Sequence, residues 1–188
     1  SDKVVSTTTS LEELLAREDV DALVVCVRND LCPGILEASV RAGKPALFEK
    51  PGAVRSSDLR RIAELARENG LPMGAMFQNR LGPAMDEIRQ ARREGALGRV
   101  MAVEARMVTS QIRYRDPSHW LFSRKMAGSG ILSWLGCHYI DLLCYLLEER
   151  IVEVTAMIGT QNPESIDVED TACITFRFEG GALGTMMV

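Results

Sequence analysis

Three short apolar runs, at residues 22–27, 45–49 and 72–77, recur in the first half of the sequence with an amphipathic segment between each pair. That alternation constrains the fold more than any other feature, because strands linked by helices through short connections run parallel and are joined by right-handed crossovers. The punctuation agrees with it. Ser10 followed by Glu13 has the spacing of a capping box and predicts a helix to about Glu18, and Ala22 to Val27 has the continuous apolarity of a strand buried on both faces. Pro33 to Ala42 reads as a helix stopped by Gly43, Pro45 to Glu49 as a strand closed by Pro51, Ser57 to Asn69 as an amphipathic helix ending at Gly70, and Pro72 to Phe77 as a third strand. Residues 1–81 are therefore predicted to form a doubly wound parallel α/β sheet.

Ligands of such sheets sit at the carboxyl ends of the strands. Here those ends are Arg28-Asn29-Asp30, Glu49-Lys50-Pro51 and Gln78-Asn79-Arg80, three polar groups after three apolar runs. Beyond Leu81 the pattern changes, and residues 82–188 read as a second, α+β domain. A helix over about 83–94 precedes an alternating strand over 99–108 and an irregular stretch rich in aromatic and charged residues. A helix over 133–147 follows, then strands over 151–160, 172–178 and 182–188, the last two joined through Gly180-Gly181 as a hairpin. Strands that follow one another without helices predict an open antiparallel sheet. The polar, acidic segment 161–170 reads as a mobile surface loop, and Met73, Met76, Met101 and Met107 as core residues. Both sheets are expected to leave an edge uncovered, as if neither domain were complete.

Composition narrows the function. With 46% hydrophobic residues among 188, the chain can bury a substantial core. A net charge of -4 and the lack of a basic cluster argue against nucleic acid as a partner. No apolar stretch reads as a membrane span and the start, Ser1-Asp2-Lys3, is not built like a signal peptide, so a cytoplasmic location without membrane partners is expected. Five cysteines, Cys26, Cys32, Cys137, Cys144 and Cys173, are odd in number and lie mostly in apolar runs, which predicts reduced core thiols. No metal site is expected, since no Cys-x-x-Cys pair occurs and His119 and His138 are far apart.

The residues that suit chemistry are Lys50, in Phe48-Glu49-Lys50-Pro51, and His138, in Gly136-Cys137-His138-Tyr139-Ile140-Asp141. A strand-end lysine and a histidine on a later helix can meet across a cleft, pairing a fixed positive charge with a group that titrates near neutrality. That combination suits removal of a proton from an alcohol. Taken singly, each has a plainer reading, as a solvated lysine and as a helix histidine. Glu49 equally reads as a surface acid pairing Lys44 or Lys50, and Asn29 as a residue bonding its own turn. Trp120, amid Tyr114, His119 and Phe122, is either a pocket wall or a plug between domains, and Arg113 and Arg115 are either a substrate clamp or solvated loop residues.

Asp21-Ala22-Leu23-Val24-Val25 with Asn29, Ala42-Gly43-Lys44 leading into Glu49-Lys50-Pro51, Asn79-Arg80, Trp120, and Gly128-Ser129-Gly130 leading to Gly136 through Asp141 together resemble the Gfo/Idh/MocA oxidoreductases, the glucose-fructose oxidoreductase and inositol dehydrogenase group. The resemblance covers nearly the whole length. It implies an N-terminal Rossmann domain, a C-terminal domain on an open antiparallel sheet, NAD or NADP as cofactor, and hydride transfer at a hydroxyl carbon of a sugar, polyol or related compound. By the same resemblance Asn29, Glu49 and Gln78 lie along the nicotinamide and ribose end of the cofactor, Lys50 bridges cofactor and substrate, and His138 takes the proton. Trp120, Trp134 and Asp141 are read as substrate-side residues, and the large flat sheet predicts a homo-oligomer.

Three departures stand out. Trp134 replaces the family's usual acid one turn before the histidine, leaving Asp141 as the candidate to orient His138, since Trp134, His138, Asp141 and Tyr145 share a helix face by spacing. Cys32 stands where the family often has a histidine. The family's Gly-x-Gly-x-x-Gly and its strand are missing, which predicts a partial Rossmann domain and an incomplete chain lacking normal activity by itself. An inactive family member serving as a binding or scaffolding subunit is the alternative, and a cyclic imine or biliverdin-type reductase ranks below it.

Overall fold

Ser10 starts the first helix, as its spacing to Glu13 predicts. In the computed structural model, which describes residues 4–163 and 165–188, the Ser10 hydroxyl accepts from the Glu13 backbone N–H at 3.1 Å and opens α1 (Leu11–Ala16). Only half of the capping box forms, because the Glu13 carboxylate accepts instead from the Thr8 hydroxyl at 2.6 Å. The other end of the helix is held from a distance, where the Lys44 ammonium donates to the Arg17 and Val20 carbonyls at 2.9 and 2.6 Å.

The chain divides into two compact units, one ending at Met76 and one beginning at Phe77. In the first, β1 (Leu23–Val25), α2 (Cys32–Arg41), β2 (Ala46–Glu49), α3 (Ser56–Glu68) and β3 (Met73–Met76) alternate as expected, and the strands form a parallel sheet in the order β1-β2-β3. The helices stop at glycines: Gly43 and Gly70 take φ of 71° and 64°, which side chains resist.

Leu23, Val25, Ala46 and Phe48 point to one face, where they pack with Cys32 and Leu36 of α2 and Ile62 of α3. Each such side chain fully removed from water contributes about 1.5–3 kcal/mol. The opposite face is open: Val24 is 70% exposed and its register partner Leu47 43%. The expectation of strands buried on both faces is thus corrected, because α2 and α3 pack on the same side and the doubly wound arrangement is only half built among the described residues. For the same reason Cys26, just past β1, is exposed while Cys32 is buried.

The second unit holds α4 (Pro83–Arg93), β4 (Ala102–Arg106), α5 (Arg124–Ala127), α6 (Cys137–Leu147), β5 (Ile151–Gly159), β6 (Thr171–Phe178) and β7 (Leu183–Met187). The boundary falls earlier than the one read after Leu81, since Arg80 of the 3-10 turn Gln78–Leu81 is bonded to Asp141 of α6. The sheet order is β4-β7-β6-β5. β5, β6 and β7 are antiparallel as predicted, but β4 pairs parallel to β7. After β4 the chain makes a long helical excursion, re-enters at the far edge as β5, and works back strand by strand, so its last strand arrives beside β4 running the same way.

Alternate residues of β6 are buried, and Ile174, Phe176 and Phe178 pack with Ile131, Leu143, Leu147 and Met186. Gly184 sits opposite Phe176 in the register, and a Cβ there would meet the Phe176 ring at 1.9 Å. Glycine is what lets the ring lie flat across β7.

Several local expectations change. The helix read over 133–147 is a π-helical turn, Leu132–Gly136, followed by α6, with the Cys137 N–H reaching back to the Leu132 carbonyl. The 24-residue run Arg124–Leu147 is long and apolar enough by composition to cross a membrane, contrary to the sequence reading. Its apolar residues Ile131, Leu143 and Leu147 are buried against the sheet, and Gly128, at φ 88°, breaks the run near its start. Met107 is core, whereas Met101, ahead of β4, is 76% exposed. The described part of 161–170 is tied down rather than loose: Asp170 accepts from the Gln161 N–H and from the backbone and side chain of Asn162, and Val168 and Glu169 are buried.

Candidate functional site

Asn29, Glu49 and Lys50 all lie at strand ends of the first unit. Asn29 is buried in a turn closed by the Leu31 and Cys32 N–H groups, both donating to the Arg28 carbonyl at 3.1 Å. Glu49 ends β2 and Lys50 follows it, both half-buried, and the Lys50–Pro51 peptide is cis. Gly52 comes next at φ 80°, where a Cβ would meet the Phe48 ring at 2.4 Å. The close approach of Phe48 fixes the turn on which Lys50 is carried. Lys44 does not pair with Glu49, since its ammonium is taken by the two carbonyls near α1. Cys32, at the start of α2, has its thiol pushed up to about 11 by burial and by the neighbouring Cys26, so it stays protonated.

Gln78, Trp120, Trp134, His138 and Asp141 belong to the second unit. His138, in the first turn of α6, is only 4% exposed, and Phe77 stands edge-on to its ring at a centroid distance of 5.9 Å. Asp141, one turn further, has both carboxylate oxygens taken by Arg80, Nε donating at 2.7 Å and Nη2 completing a bidentate pair. That bonding to Asp141 raises the Arg80 pKa further. The Arg80 guanidinium also lies over the Tyr145 ring at 4.9 Å and the Phe77 ring at 5.6 Å. Asp141, read from the sequence as a substrate-side acid able to orient His138, is bound in an ion pair with Arg80. Gln78 opens the same 3-10 turn and is exposed.

The start of the His138 helix is held by a residue the sequence did not single out. Glu169 is 5% exposed, and its Oε1 accepts from the Gly130 N–H at 2.7 Å, the Leu132 N–H at 3.2 Å and the Ser129 hydroxyl. A Cβ on Gly130 would meet the Glu169 carbonyl oxygen at 1.8 Å, so glycine is required for this approach. An acid inside a polar stretch carries no periodic signal by which it could have been found.

Just beyond, Trp134 walls a cavity of about 40 Å³ with Ile112, Leu121, Phe122, Ile166 and Val168, and Arg115 lies over its indole at 4.8 Å. The space suits a water or two or a small substituent. Trp120 does not line it. That ring faces His119 at 5.8 Å, while its chain neighbours Leu121 and Phe122 form the cavity wall. Of the three residues expected on the substrate side, Trp134 alone borders this cavity.

Comparison with known proteins identifies the group. Residues 1–77 match the profile of the oxidoreductase family with an NAD-binding Rossmann fold, and residues 85–188 match the GFO/IDH/MocA C-terminal domain. The 1,5-anhydro-D-fructose reductase of Ensifer adhaerens is 33% identical over 175 residues, covering 93% of this chain and 52% of that protein. Among solved structures, an oxidoreductase domain protein from Kribbella flavida is 32% identical with a TM-score of 0.87, covering 95% of this chain and 51% of that one. The WlbA dehydrogenase from Bordetella pertussis, solved with NADH and UDP-GlcNAcA, is 28% identical with a TM-score of 0.83, covering 95% and 55%. The chain spans about half the length of the curated relatives it matches. On the strength of the two profiles, which between them take in both units of the fold, the chain belongs to the Gfo/Idh/MocA family of oxidoreductases.

Proposed function

We propose that this chain serves NAD(P)-dependent hydride transfer at a hydroxyl-bearing carbon of a sugar, polyol or related compound. One observation supports the reading above the others: the carboxyl ends of β1 and β2, where sheets of this type present their ligand face, carry buried Asn29 and half-buried Glu49 and Lys50. These groups fit the ribose and nicotinamide half of the cofactor, a role that the family resemblance also gives to Gln78. No Gly-x-Gly-x-x-Gly for a pyrophosphate occurs within the 188 residues. When bound, the nicotinamide supplies the acceptor or donor of the hydride.

The chain's own residues manage the charge. As a hydride leaves an alcohol carbon, the hydroxyl proton must leave too or negative charge builds on oxygen. In this reading His138 takes that proton on a ring nitrogen, and the Lys50 ammonium orients the oxygen and stabilises its charge. Trp134 bounds the substrate side. The partners are a small hydroxylated molecule and a second copy of the chain. The outer face of the second sheet supports the latter, with Met157 and Leu183 exposed beside the cross-strand row Thr155, Thr175 and Thr185.

NADH and NADPH titrations followed by fluorescence test the reading. Micromolar binding by the full-length protein, with turnover of a polyol panel lost in Lys50→Ala and His138→Ala, is expected, and no binding of either nucleotide at millimolar concentration would overturn it. For the second copy, sedimentation should report a dimer that Thr175→Arg dissociates, and a concentration-independent monomer overturns it. Trp134, standing in the place of an acid, favours a second reading as a binding subunit without chemistry, which the same turnover assay excludes.

A further inference from the structure

Arg80 makes contacts on three sides. It closes a bidentate pair on Asp141, and its guanidinium lies over both Tyr145 and Phe77. Two of these partners border His138: Asp141 lies one turn along the same helix, and Phe77 presents its ring to the imidazole at 88° between ring planes. A single cation therefore fixes both the helix turn that carries His138 and the ring against which it rests. The carboxylate that could have competed for the imidazole is neutralised in the same stroke.

The rest of α6 is fastened elsewhere. At its far end Glu148 accepts from Arg89 at 2.7 Å and from Arg93, and Arg89 also donates to the Tyr145 hydroxyl at 2.7 Å, joining α4 to α6 without Arg80. One clamp secures the helix pair and the other lies beside the histidine. Fork geometry matters at the second one, because a lysine supplies charge but not two parallel donors.

We propose that Arg80 and Asp141 form a positioning pair for His138, setting the imidazole through Phe77 and the α6 turn, and that Asp141 does not touch substrate. The inference rests on His138 serving as the proton acceptor of the proposed reaction, but its geometric half can be tested separately. With only two histidines in the chain, the imidazole C–H signals of His138 and His119 are separable by NMR. In Arg80→Met and in Asp141→Asn the His138 signal should shift and broaden while His119 holds still, and the double variant should match either single one. Asp141→Glu, which keeps the carboxylate, should return the signal toward wild type. An unmoved His138 signal in both single variants, or shifts that add in the double variant, would overturn the pairing.

In turnover with a polyol that the wild-type protein oxidises, Asp141→Asn should lower kcat by about 10- to 100-fold and leave KM within about twofold. A raised KM at unchanged kcat would put Asp141 on the substrate and overturn the proposal. If the wild-type protein binds neither NADH nor NADPH, the functional reading fails, and the NMR comparison still decides the pairing.

Discussion

Replacing Glu169 should be among the costlier single changes in the second unit, and the two obvious variants should differ in a defined order. Its Oε1 is the acceptor for two backbone N–H groups and one hydroxyl at the start of the helical run, and the residue is nearly sealed from water. In Glu169→Ala the Gly130 and Leu132 donors lose their partner, at about 1–3 kcal/mol for each buried orphan, and the removed side chain leaves a void, so a total of about 3–5 kcal/mol is expected. In Glu169→Gln the amide oxygen can occupy the same place. What is lost is the charge assistance and the favourable placing of an anion at a helix start, together about 1–2 kcal/mol.

For a chain of this length each kcal/mol moves Tm by about 2–4 °C, which puts glutamine about 2–8 °C below wild type and alanine about 6–20 °C below. Circular dichroism in urea and on heating reads both. An alanine variant no less stable than the glutamine variant, or a loss under about 0.5 kcal/mol for each, would refute the view that this carboxylate holds the helix start.

Acid titration should find Glu148 far from the ordinary carboxylate range. Hydrogen bonds from Arg93 and then Arg89 hold its pKa at about 2, against 4.5 for the free group, so its share of the α4–α6 clamp is fully present above about 4.5 and disappears as the pH falls through about 2. A carboxyl carbon signal for Glu148 titrating near 4.5 by NMR would contradict this. Alkylation with iodoacetamide under native conditions should mark exposed Cys26 first and leave Cys32 untouched until unfolding, since that thiol is both buried and held protonated. Early labelling of Cys32 in peptide mass spectra would count against the packing of α2.

What could be read from the sequence was local. Pro83 and the following amphipathic pattern place α4 within a residue of its observed end, and the Ser10–Glu13 spacing finds the first cap because both signals act within one turn. What could not be read depends on remote chain. Val24 is as apolar as Val25, and only the siding of α2 and α3 decides which of them is covered. The parallel pairing of β4 with β7 is set by the route of the chain between them. Lys50 and His138 stood out by residue type and neighbours. Arg80 and Glu169 owe their importance to partners 61 and 37–40 positions away, a distance over which spacing carries no information.

At Leu132–Gly136 the helix holds one residue more than an α-helix needs for the same rise. A surplus of this kind leaves both flanks in phase, which makes it the one place along the run where chain length can change cheaply. Dropping a residue there would tighten the winding and reshape the indole wall, with the Glu169 bonds to Ser129 and Gly130 upstream and the seat of His138 downstream undisturbed. Dropping one within Cys137–Leu147 would turn the remainder by about 100° and lift Leu143 and Leu147 off the sheet. The shape of the cavity behind the indole can thus vary through the Trp134 turn alone, without moving the histidine further along the run.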